Sequence, residues 1–349
     1  MPATETGSDI EPTLYELSTE GHIGTSLPET DVPHYAPPRE LTRRDNEMPE
    51  LSQLDVVRHY LALSQRNFGI DSGFYPLGSC TMKYNPKVID DAARLPGFNE
   101  SHPSLPATSV QGNLALMYEL QEWLCEIGGF SGASLQPAAG AQGELTALLM
   151  IRAWHADRGE NQRTQILIPD SAHGTNPAST AMAGYEVLEI PSDSRGQIDI
   201  KALQAACDDT VAGLMLTNPN TLGLFEEQIE EIAALVHGCG GLVYGDGENR
   251  NALTGIARPG DMGIDLMHYN LHKTFATPHG GGGPGAGPLG ASVELRDYLP
   301  GPVVKAVGSA EAAPATYTLH IPEKSIGRMC SYSGNFSMFV RAYAYIRMH

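Results

Sequence analysis

Cysteine is scarce in this 349-residue sequence, and no two of its five cysteines, Cys80, Cys125, Cys207, Cys239 and Cys330, stand in a CxxC spacing. An odd number of scattered thiols argues against a disulfide framework, and the missing pairs argue against a zinc site, so no metal is expected. The same scarcity fits a reducing cytoplasm. Positive charge is also short. Lysines and arginines number 22 against 41 aspartates and glutamates, a formal charge of −19, and only six of the 22 are lysine. A chain so balanced is not expected to hold nucleic acid or an anionic membrane surface. No apolar run reaches the ~18 residues of a membrane span. The N-terminus lacks the basic-then-apolar order of a secretory signal.

What remains is a chain able to bury a large core. Hydrophobic residues make up 41%, which excludes disorder for most of the length. Residues 1–53 are polar and proline-rich, as in SLPETDVPHYAPPRE, and read either as a tail or as an arm reaching a partner. Helical spacing predicts helices over 54–67, 109–128, 142–157 and 199–207. In the second of these Leu114, Met117, Leu120, Leu124 and Ile127 share a face. PLGSCTMKYNP reads as a loop. Short apolar runs predict strands in TQILIP, YEVLEIP, VAGLMLTNP, GGLVYGDG, IDLMHYNL and GPLGASVEL. GTNPASTAMAG and EEQIEEIAALVHG read as helices between them. Alternating strands and helices imply an α/β fold: a mostly parallel sheet with helices on both faces.

In such folds ligands sit beyond the C-terminal ends of the strands. His173 follows ILIPDSA, Asn218 follows LMLT, Asp246 follows GLVYG, and His272 and Lys273 follow DLMHYNL. Lys273 stands in NLHKTFATPHGGGGPG. Its glycines follow the lysine, so the order is not that of a phosphate loop. A lysine at a buried strand end is a Schiff-base candidate, because desolvation favours the neutral, nucleophilic amine. The ordinary alternative is a surface lysine. Asp246, 27 residues earlier, has a plain turn reading. Beside a Schiff-base lysine it becomes the acid that keeps a pyridine nitrogen protonated. Gly140, Ala141 and Gln142 in AAGAQGE open a helix whose N–H groups suit a phosphate, or merely form a tight turn. His173 in SAHGTNPAS is either a ring-stacking or a structural histidine. Cys80 in LGSCTMKYNP is more naturally a buried or loop thiol than a nucleophile.

The motifs GFYPLGSCTMKYNPK, QPAAGAQGELTALL, DSAHGTNPAS, RPGDMGIDLMHYNLHKTFATPHGGGGPG and YSGNFSMFVRAYAYIR closely resemble the glycine-cleavage P-protein family, in its catalytic second-subunit form. The likeness runs from about Leu14 to the last residue. It implies the fold-type-I architecture of pyridoxal-phosphate (PLP) enzymes, with 1–53 as an arm, 54–300 as the large domain and 301–349 as the start of a small C-terminal domain. It implies that Lys273 carries pyridoxal 5'-phosphate, Asp246 faces the pyridine nitrogen and His173 stacks on the ring. Gly140, Ala141, Gln142 and His272 would lie near the phosphate, and Ser79, Cys80 and Thr81 near the substrate. The implied activity is decarboxylation of glycine, with transfer of the aminomethyl group to the lipoyl group of H-protein. The implied partner is a first subunit, in an α2β2 assembly.

Two departures accompany the resemblance. Glu248 in DGENRNA stands where the family usually carries a small residue. The sequence also ends inside the helical stretch SMFVRAYAYIRMH, so the small domain is expected to be incomplete. Two alternatives stay open at this point. One is another fold-type-I enzyme, an aldolase or desulfurase acting on a small amino acid. The other is a non-catalytic interaction subunit of the same fold.

Overall fold

Runs such as 166–169 and 211–216 are apolar and buried along their whole length, the mark of strands covered on both faces. The computed structural model describes residues 10–43, 48–77, 80–247, 250–279, 285–308 and 315–349. Ser79, Glu248 and the four-glycine run at 280–283 lie outside the described residues. The chain divides into two units, Met1–Tyr75 and Pro76–His349.

In the first unit, a helix spans Gln53–Gln65, opened by Ser52, whose side-chain oxygen accepts a hydrogen bond from the Asp55 N–H. That capping bond satisfies one of the helix's orphan donors. Leu51 and His59 are buried, whereas Leu54, Val57, Tyr60 and Leu61 are exposed.

Eleven strands can be named along the described chain: β1 (Tyr75–Leu77), β2 (Cys80–Met82), β3 (Gly132–Ser134), β4 (Gln165–Pro169), β5 (Glu186–Ile190), β6 (Val211–Thr217), β7 (Leu242–Asp246), β8 (Leu266–His268), β9 (Leu289–Ala291), β10 (Val303–Val307) and β11 (Thr316–His320). Seven of them form the main sheet of the second unit, in the order β3-β9-β8-β7-β6-β4-β5. The pairs β5–β4, β4–β6, β6–β7 and β7–β8 are parallel. β9 runs antiparallel to both β8 and β3. The reversal has a local cause. Parallel neighbours need a crossover, usually a helix, and among the described residues between β8 and β9 the one helix is the single turn Leu271–Thr274.

Side-chain alternation assigns the two faces. Leu167, Leu214 and Val243 pack with the helices Gln111–Gly128, Ile229–Gly238 and Phe336–Met348. Ile166, Met215 and Tyr244 pack on the other face, with Leu148 and Ile151 of the helix Gly140–Asp157. Helices therefore cover both faces of the mostly parallel sheet, as the alternation of elements implied. The helix Gln111–Gly128 buries Leu114, Met117, Leu120 and Leu124, and ends where Gly129 takes a left-handed conformation, φ 76°.

Differences from expectation are short elements. β1 and β2 pair within the stretch expected as loop, and β10 and β11 form an antiparallel ribbon, Val303 opposite His320. Among the described residues no helix is long and apolar enough to cross a membrane.

Candidate active site

Parallel register brings the strand ends to one edge. Thr217 at the end of β6 lies opposite Asp246 at the end of β7. His268 ends β8, and Asn270, His272 and Lys273 follow directly. Beside them opens a cavity of about 320 Å3. Ala138, Ala139, Gly140 and Ala141 form one wall, with Glu144 a helical turn further on. His173 and Thr175 come from beyond β4, and His268, Asn270, His272, Lys273, His279 and Gly285 complete the lining.

The first wall is the start of an 18-residue helix. Its cap residue Ala139 offers no side-chain acceptor, so the first-turn N–H groups and the positive helix end suit an anion. Glycine is required there. A Cβ on Gly140 would stand 2.5 Å from Asn270 Oδ1, and one on Gly287 would stand 2.2 Å from the Ala139 carbonyl oxygen. Asn270 Oδ1 and His272 Nδ1 are buried polar atoms without a hydrogen-bond partner, at the cavity's edge.

Nitrogen-bearing side chains gather around the rest of the lining. Lys273 is buried, and its N–H donates to the Asn270 carbonyl. Lys83 Nζ donates to the His272 carbonyl at 2.5 Å. The rings of His272 and His279 meet edge to face, 5.0 Å apart. Burial pushes the Lys83 amine down to about 8, with Lys273 adding repulsion against the opposing pull of Cys80. Burial holds His272 down at about 3, helped by His279, Lys273 and Lys83, and His279 is lowered for the same reasons. Both imidazoles are therefore neutral near pH 7.

One carboxylate, Glu144, lines the cavity, and a second, Asp246, lies behind it. Asn176 donates through Nδ2 to Glu144 Oε2 and to Asp246 Oδ2, at 3.1 Å each. Ser179 Oγ adds a bond to Glu144 at 3.3 Å. Asn176 thus joins the two carboxylates.

The residues singled out from sequence thus meet unequally. Lys273, His173, Gly140, Ala141 and His272 line the cavity. Gln142 does not; its amide accepts from the Ala138 N–H and donates to the Met329 carbonyl, bracing the turn. Cys80 is buried with Sγ 3.7 Å from His279 Nε2, while Thr81 is exposed on β2. Glu144, Asn176, His268, Asn270, His279 and Lys83 were not singled out. Glu144 follows Gly140 by four residues on one helix, a spacing that puts both on the same face. Asn176 follows His173 by three. Lys83 is 189 residues from His272, and no local pattern joins them.

The family described as "Glycine cleavage system P-protein" matches residues 26–328. The chain belongs to this family. A "Probable glycine dehydrogenase (decarboxylating) subunit 2" of Caldanaerobacter subterraneus subsp. tengcongensis is 56% identical over 339 residues, 95% of this chain and 69% of the relative. The protein of that name from Thermotoga maritima is 54% identical, across 96% of this chain and 69% of its own length. Among solved structures, glycine decarboxylase (P-protein) of the glycine cleavage system, in inhibitor-bound form, superimposes with a TM-score of 0.70 at 21% identity, over 89% of this chain and 70% of that one. Oryza sativa TDC with PLP and tryptamine gives 0.59 at 12% identity, over 89% and 66%. At those identities the likeness is one of fold, and the fold is the type-I architecture that the motifs implied.

Proposed function

We propose that this P-protein is the glycine-decarboxylating second subunit of a glycine cleavage system, with PLP held on Lys273. The observation that carries the reading is Lys273 in a cavity walled by an uncapped helix start, with the lining Glu144 joined through Asn176 to Asp246, buried behind the wall. These residues fit PLP, a flat aldehyde with a phosphate at one end and a ring nitrogen at the other. The volume is in the range of small-ligand sites. The unpartnered polar atoms of Asn270 and His272 call for a polar ligand.

Each residue then has a physical task. Lys273 Nζ would hold the cofactor through its aldehyde carbon. The Gly140–Ala141 turn, braced by Gln142 and joined by His272, receives the phosphate. His173 covers a ring face. Asp246 holds the proton on the pyridine nitrogen, and Asn176 keeps that carboxylate in place. When bound, PLP supplies the electron sink that accepts the pair left by departing CO2. Burial of Lys273 and Asn270 keeps water from the reacting carbon.

The same reading includes transfer of the aminomethyl group to lipoylated H-protein, a first subunit in an α2β2 assembly, and a cytoplasmic setting. It includes Ser79, Cys80 and Thr81 as the substrate-facing segment. It also divides the chain into the arm 1–53, the large domain 54–300 and the start of a small domain over 301–349.

The test is borohydride reduction of protein incubated with PLP, followed by peptide mass spectrometry, with Lys273→Ala in parallel. The expected result is a phosphopyridoxyl group on Lys273 and a visible band in the parent that glycine shifts. A label on Lys83 with Lys273 unmodified would refute the assignment.

A further inference from the structure

Behind Asp246 lies a second pair of polar side chains that the proposed chemistry does not use. Tyr244 Oη is 2.5 Å from His268 Nδ1, and the two rings lie nearly parallel, 14° apart. The other ring nitrogen, His268 Nε2, is 3.7 Å from Asp246 Oδ1. Tyr244 and His268 are almost wholly buried.

We infer that His268 is held as its Nε2–H tautomer by Tyr244, and that both are positioning residues for Asp246. The phenol has one proton, and Nδ1 can take it only as a lone pair. In the opposite arrangement Nδ1–H donates to the phenol oxygen, and the Nε2 lone pair faces a carboxylate oxygen in a buried, weakly screened place. That is repulsive, and burial magnifies it. With the proton on Nε2, the imidazole N–H faces Oδ1 while Asn176 Nδ2 bonds Oδ2. Oδ2 is thus hydrogen-bonded from the Thr175–Met182 helix, while Oδ1 is faced from β8 by an imidazole N–H at 3.7 Å, an electrostatic contact longer than a hydrogen bond.

Two glycines make room for this arrangement. A Cβ on Gly143 would stand 2.7 Å from His268 Cβ, and a Cβ on Gly140 would stand 3.0 Å from His268 Nε2. The ring is therefore packed against the start of the Gly140–Asp157 helix, which restricts its rotation. That Asp246 serves the ring nitrogen rests on the function proposed above. The tautomer does not.

The experiment is 15N NMR of histidine-labelled protein without PLP, with His268 resonances identified by their loss in His268→Gln. The expected result is a single Nε2–H tautomer, which becomes a mixture in Tyr244→Phe. A wild-type Nδ1–H or imidazolium form would overturn the inference, even if the variants fail to fold. So would a tautomer unmoved by Tyr244→Phe. A second measurement bears on function. PLP affinity falls about 3- to 10-fold in Tyr244→Phe, the loss of one net hydrogen bond, with the circular dichroism unchanged. Unchanged affinity would refute the positioning role. Failure of the wild-type protein to bind PLP would instead refute the proposed function, and the tautomer would still decide this inference.

Discussion

Replacing Lys83 by methionine removes an ammonium while keeping most of the aliphatic stem, and the consequence for stability has a definite sign. The amine falls from its ordinary 10.5 to about 8 in the folded chain, chiefly through burial. Between those two values the unfolded chain binds one proton more than the folded chain. Stability therefore rises with pH across this window, and below pH 8 the full cost of the buried charge is present. At about 1.36 kcal/mol per pKa unit the whole effect is roughly 3.4 kcal/mol. Lys83 is only part-buried, so solvent screening cuts this to about 1–2 kcal/mol. The variant also loses the bond to the His272 carbonyl, about 1 kcal/mol, which offsets the relief at neutral pH. The slope, not the offset, is the observable. Urea unfolding of both proteins from pH 7 to 10.5 measures it. Cys125 and Cys207 are raised by burial to about 12. They lower stability as pH climbs above the ordinary thiol value of 9. That contribution is common to both proteins and cancels in the difference. Wild type should gain about 1–2 kcal/mol on Lys83→Met across the window; parallel curves would refute the reasoning.

Gly140→Ala should weaken PLP binding by about tenfold or more, because the new methyl meets Asn270 Oδ1 and overpacking costs about 1–3 kcal/mol. Fluorescence titration with PLP checks this, and an unchanged affinity would mean that the helix start is not the anion site. Asn176→Ala should destabilise the protein by about 2–4 kcal/mol, since two buried carboxylates lose a shared donor at once. A urea midpoint indistinguishable from wild type would show that water replaces the amide without loss.

The long elements were legible because their signals are local and redundant. The helix Gln111–Gly128 carries four buried residues at helical spacing and a left-handed glycine at its end. β4, β6 and β7 are apolar runs between polar turns, and each alternates its side chains between the two cores. The elements not anticipated are short or depend on a partner. β3 is Gly-Ala-Ser, with no apolar pattern of its own; it exists because β9 lies against it. β10 and β11 pair across a gap in sequence; β10 is valine-rich yet buries only Val304, and β11 carries no apolar run. The stretch expected as loop contains β1 and β2, three residues each, below the length at which alternation can be read.

The candidate site divides along the same line. Strand ends are readable, and a parallel sheet puts all of them on one edge, so His173, Asp246, His272 and Lys273 converge without any knowledge of distance. What a strand end does not reveal is the lateral neighbour that holds its side chain. Tyr244 and His268 belong to β7 and β8, and their bond depends on register between strands, which neither run encodes alone. Composition misleads in a related way. A formal charge of −19 argues against non-specific binding of polyanions. Yet Lys273 and the start of the Gly140–Asp157 helix line one cavity, with His272 and His279, and Lys83 is bonded to the His272 carbonyl. Net charge sets the far field, whereas a buried site obeys the few groups within several ångströms, where screening by water is weakest. An acidic chain can therefore hold an anionic ligand tightly in one place while repelling anions everywhere else. That combination favours a small, deeply bound anion over any extended one.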